Sequence, residues 1–288
     1  WAAIHYFACR FYDRRVKEQY PTDTLTWPDG NQFLVQGMAR DLNKDECWLS
    51  TAVVGLLPGA TTTQALCIDT ATGESLRVHA HSVVYAGKLH AAPYVVPDMP
   101  RQQRRAIEQL DYVPWLVAAV KLSSQLEDSG VAWDNVLMGS PSVGYVSARH
   151  QTPPAARPEG DVLVYYLPLI EDLTSTREQL LGDDPQPWAN KVLADLTRVH
   201  PHLPNLVEGI DICRWGHGMV RPAPGVIWGP GAEQRRQPFG RVAFASCDAG
   251  GLPLFEEALF AGIAAAEHSL DTLDTTYTTS LHGMPVHG

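Results

Sequence analysis

Val242-Ala-Phe-Ala-Ser-Cys-Asp248-Ala-Gly-Gly-Leu-Pro253-Leu-Phe-Glu-Glu257-Ala258-Leu-Phe-Ala-Gly262-Ile-Ala-Ala-Ala266 is the stretch on which a reading of this 288-residue chain turns. A short apolar strand ends in an acid, Asp248, and a glycine-containing turn follows. Pro253 suits the first turn of a helix, where its missing N–H costs nothing, and Glu256 and Glu257 add the acidic bias of a helix start. Ala258, Ala261, Gly262, Ala264, Ala265 and Ala266 carry little bulk, so a neighbour can approach this helix closely. A helix start offers unpaired N–H groups and about half a positive charge, which favours an electron-rich ligand, and a strand-end carboxylate accepts hydrogen bonds from hydroxyls. The same residues suit a helix packed tightly on a sheet with Asp248 as an ordinary cap, and local pattern leaves both readings open.

Working outward, Pro28-Asp29-Gly30-Asn31 is a turn signal whose Asn31 is suited to cap a helix carrying Phe33, Leu34, Met38 and Leu42. Trp48 to Leu57 reads as a strand that Pro58-Gly59 stops. Gln64–Ile68 and Ser75–Val78 flank the turn Asp69-Thr-Ala-Thr-Gly73, a hairpin signal, and Ser82–Ala86 reads as a short buried strand. Residues 100–110 and 185–200 have helical spacing, whereas 114–122, 144–148 and 161–167 read as strands of a separate sheet. Arg221–Gly240, rich in proline and glycine, reads as loop.

Hydrophobic residues make up 45% and charged residues 19%, and no apolar run approaches the ~20 residues that span a bilayer. The formal charge of −10 argues against a DNA or RNA partner, since those need a basic face. Five single cysteines without C-x-x-C spacing predict free, buried thiols. The chain starts at Trp1, so any targeting segment would lie upstream. His79 with His81, and His200 with His202, lack further ligands and do not make a metal site. Gly139-Ser140-Pro-Ser142-Val-Gly144 is not a G-x-S-x-G elbow, and Arg104-Arg105 and Arg235-Arg236 read as solvated surface.

Against this layout, the Asp248 segment resembles the carboxy-terminal flavin motif of the amine oxidase, phytoene desaturase and protoporphyrinogen oxidase superfamily, where Ala-Gly-Asp or Ala-Gly-Glu precedes a small-residue helix. Thr26-Trp-Pro-Asp-Gly-Asn-Gln-Phe-Leu34 resembles that family's Tyr-Pro-Gly-Gly-type turn and helix. Leu49-Ser-Thr-Ala-Val53-Val54-Gly-Leu56 resembles the strand whose backbone meets the adenine, and Val78–Ala86 the strand that returns to the nucleotide domain. Arg214-Trp215-Gly-His217-Gly-Met-Val-Arg221-Pro-Ala-Pro-Gly225 resembles its Trp-to-Pro-Gly loop. The chain is also similar to a bacterial group of flavin oxidoreductases marked by Trp133-Asp-Asn-Val, Gly144-Tyr-Val and Arg149-His150-Gln151.

The resemblance implies an α/β fold in which an incomplete Rossmann-like domain, residues 24–90 and 236–275, interleaves with a mixed-sheet substrate domain, residues 1–23 and 91–235, before a tail at 276–288. It implies FAD, with Val53, Val54, Asp248, Glu257 and Ala258 on the cofactor side. It implies hydride removal from a small molecule, first the C–N bond of an amine, second a C–H bond in a desaturation. Lys121 stands where the family often places a lysine that holds water at the flavin N5, and its apolar neighbours predict partial burial. The bland alternative is a strand-edge lysine reaching solvent. Trp215 and His217 are placed on the substrate side, against a core-packed Trp and a solvated His. Four departures accompany the likeness: the G-x-G-x-x-G fingerprint is absent, Glu257 stands where the family has glycine, Ser246 replaces the glycine before the acid, and no aromatic follows Asp248 closely to supply a wall of the amine oxidases' aromatic cage. They predict a carboxy-terminal portion whose flavin site is completed elsewhere, with a cofactor-less binding module as the rival.

Overall fold

The computed structural model describes residue 27 and residues 29–126, 131–182 and 184–281. The aromatic amino-terminal stretch, Thr26, Pro28 and the end of the expected tail lie outside the described residues. Helix α1 (Gln32–Met38) precedes strands β1 (Thr51–Pro58), β2 (Thr63–Asp69), β3 (Ser75–Ala80) and β4 (Val83–Tyr85). Helices α2 (Ala92–Val95) and α3 (Arg101–Glu108) lead to strands β5 (Tyr112–Leu122), β6 (Asp134–Asn135), β7 (Gly144–Ser147) and β8 (Asp161–Pro168). Then come helices α4 (Leu173–Gly182) and α5 (Pro185–Thr197), strand β9 (Val207–Val220), helix α6 (Pro230–Arg236), strand β10 (Val242–Phe244), and helices α7 (Cys247–Gly250) and α8 (Phe255–Thr272). The described residues fall into two compact units, one of 29–42 and Tyr112–Met219, the other of 43–111 and 220–281.

The first unit is a five-stranded sheet in the order β6-β7-β8-β5-β9. Period-2 patterning sends Leu116, Ala118, Val120, Leu163, Tyr165 and Leu167 to one face, where they meet Leu180 of α4 and Trp188, Val192 and Leu196 of α5. Asp184 caps α5 by accepting from the Gln186 N–H, and Pro185 fills the first helical position. Gly144 holds φ at +103°, and a side chain there would run into the Asn135 carbonyl, so only glycine lets β6 and β7 meet. Beneath the sheet, Asp195 of α5 collects Ser140 Oγ at 2.5 Å, Tyr165 OH at 2.8 Å and Arg198 Nη1 at 3.0 Å. Burial and then the Asp195 carboxylate push the Tyr165 phenol up to about 12; burial alone would raise Asp195, but its hydroxyl donors and Arg198 hold it below the ordinary aspartate range.

The second unit joins the antiparallel meander β1-β2-β3 to a parallel pair, β4 with β10, and helices α2, α3, α6, α7 and α8. The hairpin at Asp69 forms as expected: its Oδ1 accepts from Ala71 and Thr72 N–H groups, and Gly73 takes φ +77°.

Several expectations are corrected. Asn31 sits in the helical region itself and makes no side-chain cap. The Ser82–Ala86 strand is not fully buried, because Val84 faces outward. Helix α6 interrupts the expected 221–240 loop, nucleated by Pro230 at its start. Arg235 is fully buried rather than solvated, donating to the Val226 carbonyl, and Arg104 ties down the Pro93 and Pro97 carbonyls. The thiols of Cys47, Cys67, Cys213 and Cys247 are free, but Cys47 and Cys213 are exposed.

Candidate functional site

The decisive stretch builds a different junction from the one its sequence suggests. The strand stops at Phe244, and Asp248 lies within the short helix α7, whose N-cap is Ser246, with its Oγ accepting from the Asp248 N–H. Gly251 ends α7 in the left-handed region at φ +78°, and α8 starts at Phe255 rather than at Pro253. Asp248 is therefore no cap. Its side chain is wholly inaccessible; Oδ2 accepts from the Leu89 N–H at 3.0 Å and Oδ1 lies 3.6 Å from Lys88 Nζ. The carboxylate thus locks the segment after β4 against the segment after β10. Burial and then the charge of Asp248 raise the neighbouring Tyr85 phenol and Cys247 thiol above their ordinary values.

Beyond this lock an open-sided cleft of about 590 Å³ runs between β10 and α8, lined by Arg236, Phe244, Gly250, Glu257, Ala261 and His268 among others. The Glu257 carboxylate covers Gly250 so closely that a side chain at 250 would collide with it. Ala258 is exposed on α8, and no atom stands within 4 Å of where a Gly262 side chain would begin. Of the 18 residues of this apolar helix only Ala265 is buried.

Val53 and Val54 lie side by side, both exposed, on β1. A register shift between Val53 and Gly55 leaves Val54 without a ladder partner, so two successive side chains face outward where strict alternation would bury one.

Lys121 on β5 and Trp215 and His217 on β9 belong to the other unit. The expected partial burial of Lys121 is corrected: its side chain is 53% exposed and pairs with Asp211 at 2.7 Å. Trp215 is 57% exposed, not core-packed. His217 sits on the exposed side of β9 with its ring 6.0 Å from that of Tyr112. The expected loop is instead the end of a long strand. A side chain at Gly216 would strike Leu181 and one at Gly218 would strike Trp115, while Trp215, His217 and Met219 are exposed. Asp211 and Trp215 are four residues apart on β9, which puts Lys121 roughly 13 Å along the strand from Trp215.

The sequence reading missed Lys88 and the Leu89 N–H as the partners of Asp248, because they lie 160 and 159 positions away and carry no local signal. It also missed Asp211, although Ile210, Asp211, Ile212 and Cys213 alternate as a strand does. Among the described residues no group of three His, Cys, Asp or Glu side chains is placed to hold a metal, and no helix is long and apolar enough to cross a membrane.

A parallel strand pair, a meander and a separate helix-backed sheet define a mixed α/β protein with the fold of the flavin amine oxidases. Cyclohexylamine oxidase from Brevibacterium oxydans matches 85% of the chain with a TM-score of 0.67 at 16% identity, and putrescine oxidase bound to putrescine matches 83% with a TM-score of 0.64 at 16% identity. In each case the match covers 53% of the solved protein, so the chain spans about half the length of these relatives. The flavin containing amine oxidoreductase family matches residues 6–269, and the chain belongs to that family. No curated protein matches it.

Proposed function

We propose that these residues are the carboxy-terminal portion of an FAD-dependent oxidoreductase that removes hydride from the C–N bond of a small amine. The family match over residues 6–269 carries this reading. The cofactor, once bound, supplies the hydride acceptor. The residues present fit part of such a group. The Val53–Val54 bulge turns a backbone segment outward, as an edge-on contact to a purine needs, and Ala258 and Gly262 leave the α8 surface open to a flat neighbour. Asp248 fits less directly, because its carboxylate already serves the Leu89 N–H and Lys88; it supports the site by fixing the backbone there. Glu257 lines the same cleft as Arg236 and His268.

On the other unit, β9 offers exposed Trp215 as an apolar wall for a substrate, with His217 two residues on, and β5 offers Lys121 as a cation tethered by Asp211. Asp211, the carboxylate nearest Lys121, is held in an ion pair with it. The chain has no G-x-G-x-x-G, which supports completion of the nucleotide site by a segment outside residues 1–288. The test is purification of the protein together with its upstream coding sequence. Bound flavin that bleaches on anaerobic addition of an amine is the expected result; a colourless, fully folded protein would return the chain to the class of cofactor-less binding modules.

A further inference from the structure

Arg149-His150, singled out in the sequence and unused by the proposed oxidoreductase site, lies on a polar cleft of about 640 Å³ in the five-stranded-sheet unit. Its floor is Ser147 and Asp161, both buried, and its walls include Gln125, Arg149, His150 and Arg157. The single carboxylate is satisfied from within: Asp161 accepts from Ser147 Oγ at 2.9 Å, from the Arg149 N–H at 3.3 Å and from the Val162 N–H at 2.7 Å. The two guanidinium groups are held in place by carbonyls, not by acids. Arg149 Nη1 donates to Pro158 and Gly160, and Arg157 Nε donates to Thr152 at 3.0 Å. Among the described residues neither arginine has a carboxylate within ion-pair distance. Both keep N–H groups beyond these contacts, since a guanidinium carries five.

Two arginines without acidic partners at one concave polar site are unexpected in a chain of net charge −10, where carboxylates outnumber cations 32 to 22. Carbonyl anchoring fixes the forks without cancelling their charge, the arrangement that recognises planar or tetrahedral oxyanions. We propose that this cleft binds a small oxyanion-bearing molecule, carboxylate or phosphate, held by Arg149 and Arg157 with His150 at the rim.

The probes are inorganic phosphate and citrate, titrated calorimetrically into residues 1–288 at constant ionic strength, with chloride as the reference salt. Saturable binding of at least one of them is expected, and the one that binds names the source chemistry. Arg157→Gln, at an exposed position, should weaken binding roughly tenfold without altering the circular dichroism spectrum, as loss of one charged hydrogen bond does. Arg149→Lys keeps the charge and loses the fork, and should weaken it similarly. Failure of both probes to bind, or equal affinity in wild type and in both variants, overturns the proposal.

Discussion

Replacing Asp248 tests the lock between the two chain segments most directly. In Asp248→Ala the Leu89 N–H, which now donates to Oδ2 at 3.0 Å in a fully buried position, loses its acceptor. An orphaned buried amide costs about 1–3 kcal/mol. The removed side-chain volume adds about 1 kcal/mol where the surroundings do not collapse. The contact to Lys88 adds under about 1 kcal/mol, since that lysine is 42% exposed and water screens the pair. The sum is a destabilisation of about 3 kcal/mol. Asp248→Asn keeps an oxygen for the Leu89 N–H and should cost only about 1 kcal/mol. Urea unfolding of residues 1–288, followed by tryptophan fluorescence, measures both. The expected order of midpoints is wild type, then Asn, then Ala. An alanine variant within about 0.5 kcal/mol of wild type would mean that the carboxylate holds nothing, and the lock would have to be abandoned.

Other outcomes follow from the same geometry. Gly251→Ala should cost about 2 kcal/mol or more in the same urea assay, because φ is +78° and the new methyl would stand 2.5 Å from Val226 Cγ1. Lys121→Met should shift stability by less than about 1 kcal/mol, since the Asp211 pair is exposed. If the lysine holds a water at the flavin N5, as the family resemblance implies, stopped-flow reoxidation or turnover in the flavin-loaded protein falls at least about tenfold; unchanged rates remove it from the mechanism. Asp195, held below the ordinary aspartate range, contributes stability that is complete above that range and lost as pH falls through its folded value. Asp195→Asn should therefore flatten the acid limb of a stability–pH curve while lowering its plateau. Tyr165 behaves oppositely: its stabilisation is full below the ordinary tyrosine value and is lost as pH rises through about 12, so an ultraviolet titration should find one phenol ionising last, and Tyr165→Phe should remove it.

Much of the architecture was legible because it depends on local signals. The Asp69–Gly73 turn, the alternation of β5 and β8 and the Pro185 helix start all carry their cause within a few residues. What was not legible depends on distance or on glycine. The partner of Asp248 is a backbone amide beyond any window, so the acid was read as a cap or a ligand. Gly216 and Gly218 disguised β9 as a loop, because the space they vacate is filled by Leu181 and Trp115, which the strand's own sequence does not show. Arg235 looked solvated for the same reason: the carbonyl that receives it belongs to Val226, across a turn.

The build of β9 also bears on how such a protein can change. Ile210 and Ile212 pack on the core, Gly216 and Gly218 make room for Leu181 and Trp115, and Cys213, Trp215, His217 and Met219 are exposed, so foldability and surface chemistry are written on alternate letters. A library randomised at those outer positions would search recognition while leaving the helix-backed core untouched. Lineages sharing the scaffold can drift to new substrates along a single strand, with the glycines as the fixed letters.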